Sequence, residues 1–353
     1  MLTTASDRRG GVQSWRRLML GTVTAVLVAG CHEARPGATL SPQERMDMQN
    51  RAQDLLLRAA ESDLDDVACN ALEALVRVAP RAGQPLFRKA LRSTSPLVRY
   101  AGFVALGELR DAEVLKSVAA GVRDESLHVR LAAAFAACRC GRDGYARVLT
   151  RVLSEAPDEN LRADAAALLG RLQEPRATKW LRAALKLPIN EKSRHVTLVL
   201  RGALAQLGDK DALSELINYS QGDPVARTDA LLILADLGNP EARDGLRYRL
   251  LGVSEEYDEA RLIAARGLGR IGYRDGYDFA MKMLTYTDPN PNPTPDNPSR
   301  TFPIRSMAVH ALAEIGDPRA LPALRDLAAD QTDARLQVAA SYAICRIAGR
   351  GGK

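Results

Sequence analysis

The chain has 353 residues, of which 46% are hydrophobic but only 5% aromatic. Alanine and leucine supply most of the apolar side chains, a composition that favours helices over sheets. Four of the 49 basic and one of the 43 acidic residues precede position 32. The rest of the chain therefore carries 45 basic and 42 acidic residues, a net charge of +3. That balance argues against nucleic-acid binding.

The first predicted element is a short apolar run near the amino terminus. Four arginines between positions 8 and 17 precede 13 mostly apolar residues at 18–30. A helix that spans a bilayer needs about 20 such residues. Basic residues followed by a shorter apolar run and small residues are typical of a secretory signal peptide. We therefore expect residues 1–30 to direct export.

The apolar run ends in VAGC at 28–31, which resembles the lipobox of bacterial lipoproteins. The resemblance implies that Cys31 becomes the lipid-bearing first residue of the mature chain, followed by a tether at 31–40. An ordinary signal peptide with an incidental cysteine is the alternative. The arginine pair at 16–17 leaves the general secretory and twin-arginine routes both open. The expected location is a membrane surface, on the periplasmic or cell-surface side.

The folded part is predicted to begin at Ser41. Ser41, Pro42 and Glu44 match a capping box with proline in the first turn, which predicts a helix start. We expect this helix to cover the first unit of a repeat domain that extends over 41–350.

A repeat of about 32 residues runs through that domain. Equivalent positions follow one another at spacings of 31, 31, 32, 32, 33, 34, 44 and 32 residues. They are Ala68, Arg99, Arg130, Arg162, Arg194, Arg227, Arg261, Arg305 and Gln337. Small or apolar residues recur 3, 7 and 10 positions later, which is one face of a helix, and a second amphipathic segment precedes each such helix. The pattern predicts an all-α fold, an α-solenoid of about nine helical pairs.

These columns resemble HEAT repeats of the short phycobilisome-lyase type, as in the units DESLHVRLAAAFAACRCG and AVHALAEIGDPRALPALRDLAAD. The resemblance covers about 60–350. It implies that the arginines opening the helices pair with acids in the turns, and that the two terminal units are atypical caps. It also implies two functional alternatives to a scaffold, which are a bilin-lyase-like or other HEAT-repeat enzyme and a nucleic-acid-binding HEAT-like protein.

Patterns that suggest chemistry have simpler explanations here. The GxGxxG at 267–272 lies within a repeat helix, so close packing and helix termination explain its glycines better than nucleotide binding. Cys138 and Cys140 point in different directions on one helix and are expected to be buried. The four histidines show no ligand spacing. We predict no catalytic residue, metal site, cofactor or small-molecule substrate.

The longest interval between units contains an insertion, TDPNPNPTPDNPSRTFP, at 287–303. Its six prolines favour an extended loop, and insertions in solenoids often bind partners. Aromatic residues are dense around it, and six are candidates for binding a protein: Tyr248, Tyr257, Tyr273, Tyr277, Tyr286 and Phe302. A tolerated spacer with larger core residues is the alternative.

A basic interval without any acid extends over 74–107. Its candidates for facing anionic lipid are Arg77, Arg81, Arg88, Lys89 and Arg92. A tether at 31–40 would keep them within about 30 Å of the lipid; a solvated face is the alternative. The sequence thus predicts a membrane-anchored scaffold without catalytic activity that binds a protein partner.

Overall fold

The computed structural model describes residues 40–222, 224–252, 257–290 and 292–352, which form helices and connecting turns and no strand. The predicted signal peptide, Cys31 and all of the tether except Leu40 lie outside these ranges. Within them, no helix combines the length and apolar character needed to cross a bilayer.

Two sets of helices alternate along the chain. The outer helices are α1 (Pro42–Ala59), α3 (Pro80–Ala90), α5 (Leu115–Gly121), α7 (Ala146–Glu155), α9 (Pro175–Leu185), α12 (Lys210–Gln221), α14 (Arg243–Leu251), α16 (Tyr277–Met283) and α18 (Leu321–Ala329). The inner helices are α2 (Asp65–Val78), α4 (Pro96–Glu108), α6 (Leu127–Arg139), α8 (Glu159–Arg171), α11 (Arg194–Gln206), α13 (Pro224–Leu237), α15 (Asp258–Arg270), α17 (Thr301–Ile315) and α19 (Ala334–Ala348). A one-turn helix, α10 (Pro188–Glu191), lies between α9 and α11. The predicted all-α solenoid of nine helical pairs is confirmed.

Helix α1 begins where the capping box predicts. The Ser41 hydroxyl accepts a hydrogen bond from the Glu44 backbone N–H at 3.2 Å, and the Glu44 carboxylate accepts one from the Ser41 N–H at 2.8 Å. These two bonds satisfy amide groups that have no acceptor within the helix.

The core lies between the two sets of helices and surrounds the inner set. Residues 131–137 of α6 are all fully buried, and residues 338–345 of α19 are buried as well. A helix buried on every face must have neighbours on every side. Alanine at offset 3 permits this close approach, as at Ala133, Ala264 and Ala340.

The two ends of the solenoid pack against each other. Helix α1 lies along α19, and α2 packs on α19 as the other inner helices pack on their neighbours. The Cys345 sulfur lies 3.7 Å from the Gln49 carbonyl oxygen, and one continuous core cluster includes Leu56, Leu72 and Ile344. The solenoid is therefore a closed ring. The terminal units, expected to be atypical caps, cover each other.

The ring has two distinct rims, because successive inner helices pack side by side and run in the same direction. The insertion rim is defined by the residues that precede the inner helices: Leu64, Ser95, Ser126, Asp158, Ser193, Tyr257, Arg300 and Asp333. The tether rim lies where the inner helices end and where α1 begins, just after Leu40. The 18 residues of α1 span about 27 Å from one rim toward the other.

The residues that open the inner helices mainly bind backbone carbonyls at the carboxyl ends of the outer helices. Arg99 does pair with turn acids as predicted, with Asp124 at 2.8 Å and Glu125 at 3.2 Å. Four others bind carbonyls: Arg130 that of Asp124, Arg261 that of Leu250, Arg305 that of Leu284 and Gln337 that of Ala328. Carbonyls at helix ends lack donors within the helix, so a glutamine amide can replace a guanidinium here. The predicted acid pairing is thus wrong for the three arginines, whereas Gln337 was not expected to form it.

The GxGxxG glycines serve packing and helix termination, as predicted. A methyl group on Gly269 would lie 2.5 Å from the Ile315 backbone nitrogen, so only glycine lets α15 approach α17 this closely. Gly272 follows α15 with φ of +96°, the left-handed conformation that ends many helices.

The insertion connects α16 to α17 and is shorter than predicted. Its described residues up to Arg300 are not helical, whereas Thr301, Phe302 and Pro303 form the first turn of α17. The prediction of a loop through 303 is therefore wrong at its end. First-turn amides have no acceptor within the helix, so the missing N–H of Pro303 costs nothing there.

Candidate functional site: the insertion rim

The large apolar side chains that the ring exposes are concentrated on the insertion rim. Eleven are exposed among the described residues, and eight of these lie within one helical turn of this rim. The eight are Leu64, Leu97, Leu127, Ile189, Tyr219, Tyr248, Leu251 and Tyr257. Single exposed apolar residues are normal on soluble proteins, but their concentration along one edge is typical of a surface that contacts another molecule.

The stem of the insertion is fixed beside this apolar edge. Arg300 binds both carboxylate oxygens of Glu259, at 2.9 and 2.7 Å, two residues after Tyr257. Its backbone N–H donates to Asp288 at 2.6 Å, and the Asp288 N–H donates to the Thr301 hydroxyl at 3.0 Å. The hydrogen bond from the Arg300 backbone amide has the largest part in lowering the pKa of Asp288, and the bond from the Asn290 amide lowers it further. The two ends of the loop are thereby joined at the surface of α15.

Four of the six aromatic candidates lie at the insertion rim, but only two of them are exposed. Tyr248 and Tyr257 are 54% and 72% exposed. Tyr286 and Phe302 are partly buried against the core, and the Arg335 guanidinium lies 3.8 Å from the centre of the Phe302 ring. They support the base of the insertion.

The other two aromatic candidates lie at the tether rim. Tyr273 follows the 13 residues of α15, about 20 Å from Tyr257 at its start. Tyr277 opens α16 and is buried, with the Arg319 guanidinium 4.4 Å from its ring centre. The prediction of one aromatic surface is therefore wrong for Tyr273 and Tyr277, because a whole helix separates residues that are close in sequence.

The five basic candidates do not form one surface either. Arg77 lies in the last turn of α2 and Arg81 in the first turn of α3, whereas Arg88, Lys89 and Arg92 lie in the last turn of α3 and just after it. Acids pair with three of them: Glu73 with Arg77, Asp111 with Arg88 at 2.8 Å, and Glu61 with Lys89. The prediction of a common membrane-facing set is wrong, because all three acids come from outside the acid-free interval, Glu61 and Glu73 from before it and Asp111 from after it.

The inner edge of the insertion rim carries a hydrogen-bonded group that the sequence analysis missed. The Tyr100 hydroxyl of α4 donates to Asp164 of α8 at 2.6 Å, and Nδ1 of His128 in α6 lies 3.0 Å from the other carboxylate oxygen. The three residues have different positions within their repeats, so no spacing signals their meeting. The one sequence signal is a polar side chain at a repeat position that is small or apolar in most of the other units, as at Asp164.

Burial and charge fix the protonation of this group. The bond to Asp164 raises the pKa of His128, because the carboxylate stabilises the imidazolium. Burial raises the pKa of Tyr100, and the Asp164 charge raises it further, so the phenol stays neutral and donates. An imidazole held by a carboxylate is suited to accept and release a proton.

The described residues contain no candidate metal cluster and no thiol with a lowered pKa. No three histidine, cysteine, aspartate or glutamate side chains within them are placed to hold a metal ion. Burial raises the pKa of Cys69 and of Cys138 to about 12, so these thiols are not ionised at neutral pH. Cys138 and Cys140 are only partly buried, contrary to expectation, since they lie at the end of α6 at the tether rim.

The HEAT-repeat family model matches residues 52–138 and 250–345, together just over half of the chain. The chain belongs to the HEAT-repeat family. No curated protein sequence matches it.

Three solved structures resemble this HEAT-repeat protein at a level that supports no inference about function. The CpcE–CpcF complex of phycocyanin lyase from Nostoc sp. PCC7120 has a TM-score of 0.41 and 17% identity, over 72% of this chain and 98% of that chain. YibA of Escherichia coli has a TM-score of 0.34 and 16% identity, over 90% and 99%. Human deoxyhypusine hydroxylase in complex with glycerol has a TM-score of 0.36 and 16% identity, over 87% and 99%.

The tether rim of this HEAT-repeat protein is charged in a regular way. Nine positions after the repeat's reference residue, eight of nine units carry a charge: Arg77, Glu108, Arg139, Arg171, Asp236, Arg270, Glu314 and Arg346. Arg139 donates to the carbonyls of Gly107 and Leu172, and Arg346 pairs with Glu314 at 2.8 Å. Helix carboxyl ends carry partial negative charge, so the arginines stabilise this rim.

Replacing Asp164 by asparagine should lower the pKa of His128 toward about 6.5, its ordinary value, because an amide carries no charge. In the wild type the pKa is raised in the folded state, so protonated His128 stabilises the fold below about pH 6.5, and that contribution is lost as the pH rises through the folded pKa. NMR titration of the His128 ring protons measures the shift. An unchanged His128 titration would contradict the assigned pairing.

Proposed function

We propose that this HEAT-repeat protein is an exported lipoprotein, anchored through Cys31, that binds a protein partner with its insertion rim. The concentration of exposed apolar side chains on that rim carries the proposal. Helices α6 and α19 are buried on every side, so the concave face is closed at these two helices. The proposal therefore assigns partner binding to the insertion rim.

The position of the tether gives the ring an orientation. Leu40 lies at the tether rim, and the nine Cα–Cα steps from Cys31 to Leu40 span at most about 32 Å. A lipid on Cys31 thus keeps the tether rim near the membrane. The insertion rim faces the aqueous compartment, where a partner with an apolar patch of its own can reach Leu251, Tyr257 and the neighbouring insertion.

Site-specific photo-crosslinking in native membranes tests the binding surface. A photoreactive residue at Leu251 or Tyr257 should capture a specific partner, whereas one at the exposed Lys210 of the tether rim should not. Replacing residues 289–299 by two glycines retains the Asp288–Arg300 contact, and it should weaken capture while the thermal midpoint stays the same. Equal capture from Lys210, or capture unaffected by the shortened loop, would count against this surface.

The anchor is tested separately with Cys31→Ser. This chain should lose the lipid mass seen in the wild type and should leave the membrane fraction. A substituted chain that stays on membranes would remove the lipid anchor from the proposal. Capture of the partner by the soluble chain would leave the binding surface intact.

An acid–base activity is the second candidate, and the Tyr100–His128–Asp164 group is the observation that favours it. If the protein binds and acts on a bilin, as the repeat type suggests, it should retain pigment when purified from a bilin-producing host. Loss of that visible absorption in His128→Gln, with helicity unchanged, would support this activity. The scaffold proposal expects no bound pigment in either protein.

A further inference from the structure

A groove follows the seam where α1 closes the ring against α18 and α19. Its volume is about 500 Å³, within the range of small-molecule sites. Apolar side chains dominate its lining: Leu40, Met48, Ala52, Leu55, Ala328 and Ile344. The exposed side chains of Glu44, Asp47, Arg51, Arg58 and Arg325 also border it, so its walls are apolar and its edge carries charges of both signs.

One wall of the groove contains an unsatisfied polar group. Ser341 of α19 is completely buried, and its hydroxyl has no hydrogen-bond partner. A buried hydroxyl without a partner is costly, so such groups are rare and call for a cause. An ester carbonyl that enters the groove would supply the missing acceptor.

The described chain begins in this groove, because Leu40 is part of its lining. Eight residues, 32–39, connect Cys31 to Leu40, and the nine Cα–Cα steps between these two can span about 32 Å, slightly more than the roughly 27 Å length of α1. A group attached to Cys31 can therefore reach any point along the groove.

We propose that the groove is a binding site for an acyl chain, and that its occupant is the lipid on Cys31. An acyl chain matches the apolar walls, and an acylglyceryl ester matches Ser341. The identity of the occupant rests on the proposed lipid anchor, whereas the existence of the site does not. The groove gives the anchor a place outside the bilayer while the protein crosses an aqueous compartment.

The unlipidated protein tests the site directly. A Cys31→Ser chain produced without its leader would be titrated with dansyl-labelled undecanoic acid in the absence of vesicles, and saturable binding of one probe per chain is expected. Ala329 is exposed and lines the groove, so Ala329→Trp should fill it and weaken binding at least tenfold. Ala120→Trp, the same change at an exposed alanine of α5, is the control and should bind like the parent chain.

Each result bears on one part of the proposal. Failure of the unlipidated chain to bind the probe saturably, or equal affinity of the Ala329→Trp chain, would overturn the site. The lipidated protein tests the occupant, since its own lipid should reduce probe uptake at least tenfold, and full uptake would place that lipid elsewhere. Intact mass reports independently whether Cys31 is lipidated, so a missing anchor and a missing groove are different results.

Discussion

Replacing Leu56 by alanine should destabilise both ends of the chain at once. Leu56 is fully buried in α1, in the core cluster that continues into α2 and α19. Removing a buried leucine side chain leaves a cavity and costs about 2–5 kcal/mol of unfolding free energy. Because α1 joins the two ends of the ring, the loss should reach units far apart in sequence.

Hydrogen exchange measures where the destabilisation spreads. In Leu56→Ala, amides of α2 and of α19 should lose protection together, whereas an open solenoid would confine the loss to its first unit. Leu149→Ala removes an equally buried leucine from α7 and is the control. It should weaken α6 and α8 and leave α19 unchanged. Normal protection of α19 in the Leu56 variant would contradict ring closure.

Replacing Arg162 by alanine should cost about 3–5 kcal/mol, because several buried acceptors lose their donor. Arg162 is 3% exposed and is surrounded by oxygen atoms. Its guanidinium donates to the Asn190 side chain at 2.9 Å and to the carbonyls of Ala156, Pro157 and Ile189 at 2.7, 2.8 and 3.2 Å. These bonds hold α10 against the end of α7.

Urea unfolding measures this loss, and Arg162→Gln is the matched comparison. Glutamine donates to a carbonyl at the equivalent position Gln337, at 3.1 Å, so it should recover part of the stability. A loss below about 1 kcal/mol in Arg162→Ala would mean that water replaces the guanidinium and that the site is not closed. Equal losses in the alanine and glutamine variants would contradict the proposed role of the amide.

The sequence predicts the units of this fold because their signals are local. Ser41 and Glu44 are three residues apart, and their capping box appears as predicted. The small residues at offset 3 lie on the same helix as the apolar residues at offset 10, so the buried face of each inner helix is also visible in sequence. Nine helical pairs follow from counting these columns.

Features that depend on distant residues could not be predicted in this way. Gln49 and Cys345 are 296 positions apart in the sequence, and they meet because each unit is rotated slightly relative to the one before it. The total rotation is the sum of many small packing angles between helices. The partners of Arg88 and Lys89 come from neighbouring units, so the acid-free interval misled the prediction of a basic surface. Tyr100, His128 and Asp164 lack a common spacing for the same reason.

Closure of the ring also sets the order in which the protein can be completed. Helix α1 is made early, but the main partner along its length, α19, is the last helix of the described chain. At typical rates of synthesis, about 5–20 residues per second, the apolar side of α1 waits on the order of tens of seconds for its cover. Two copies that meet during this interval can exchange α1 and close on each other as a swapped dimer. The yield of single rings on refolding should therefore fall as protein concentration rises, a dependence that an open solenoid does not share.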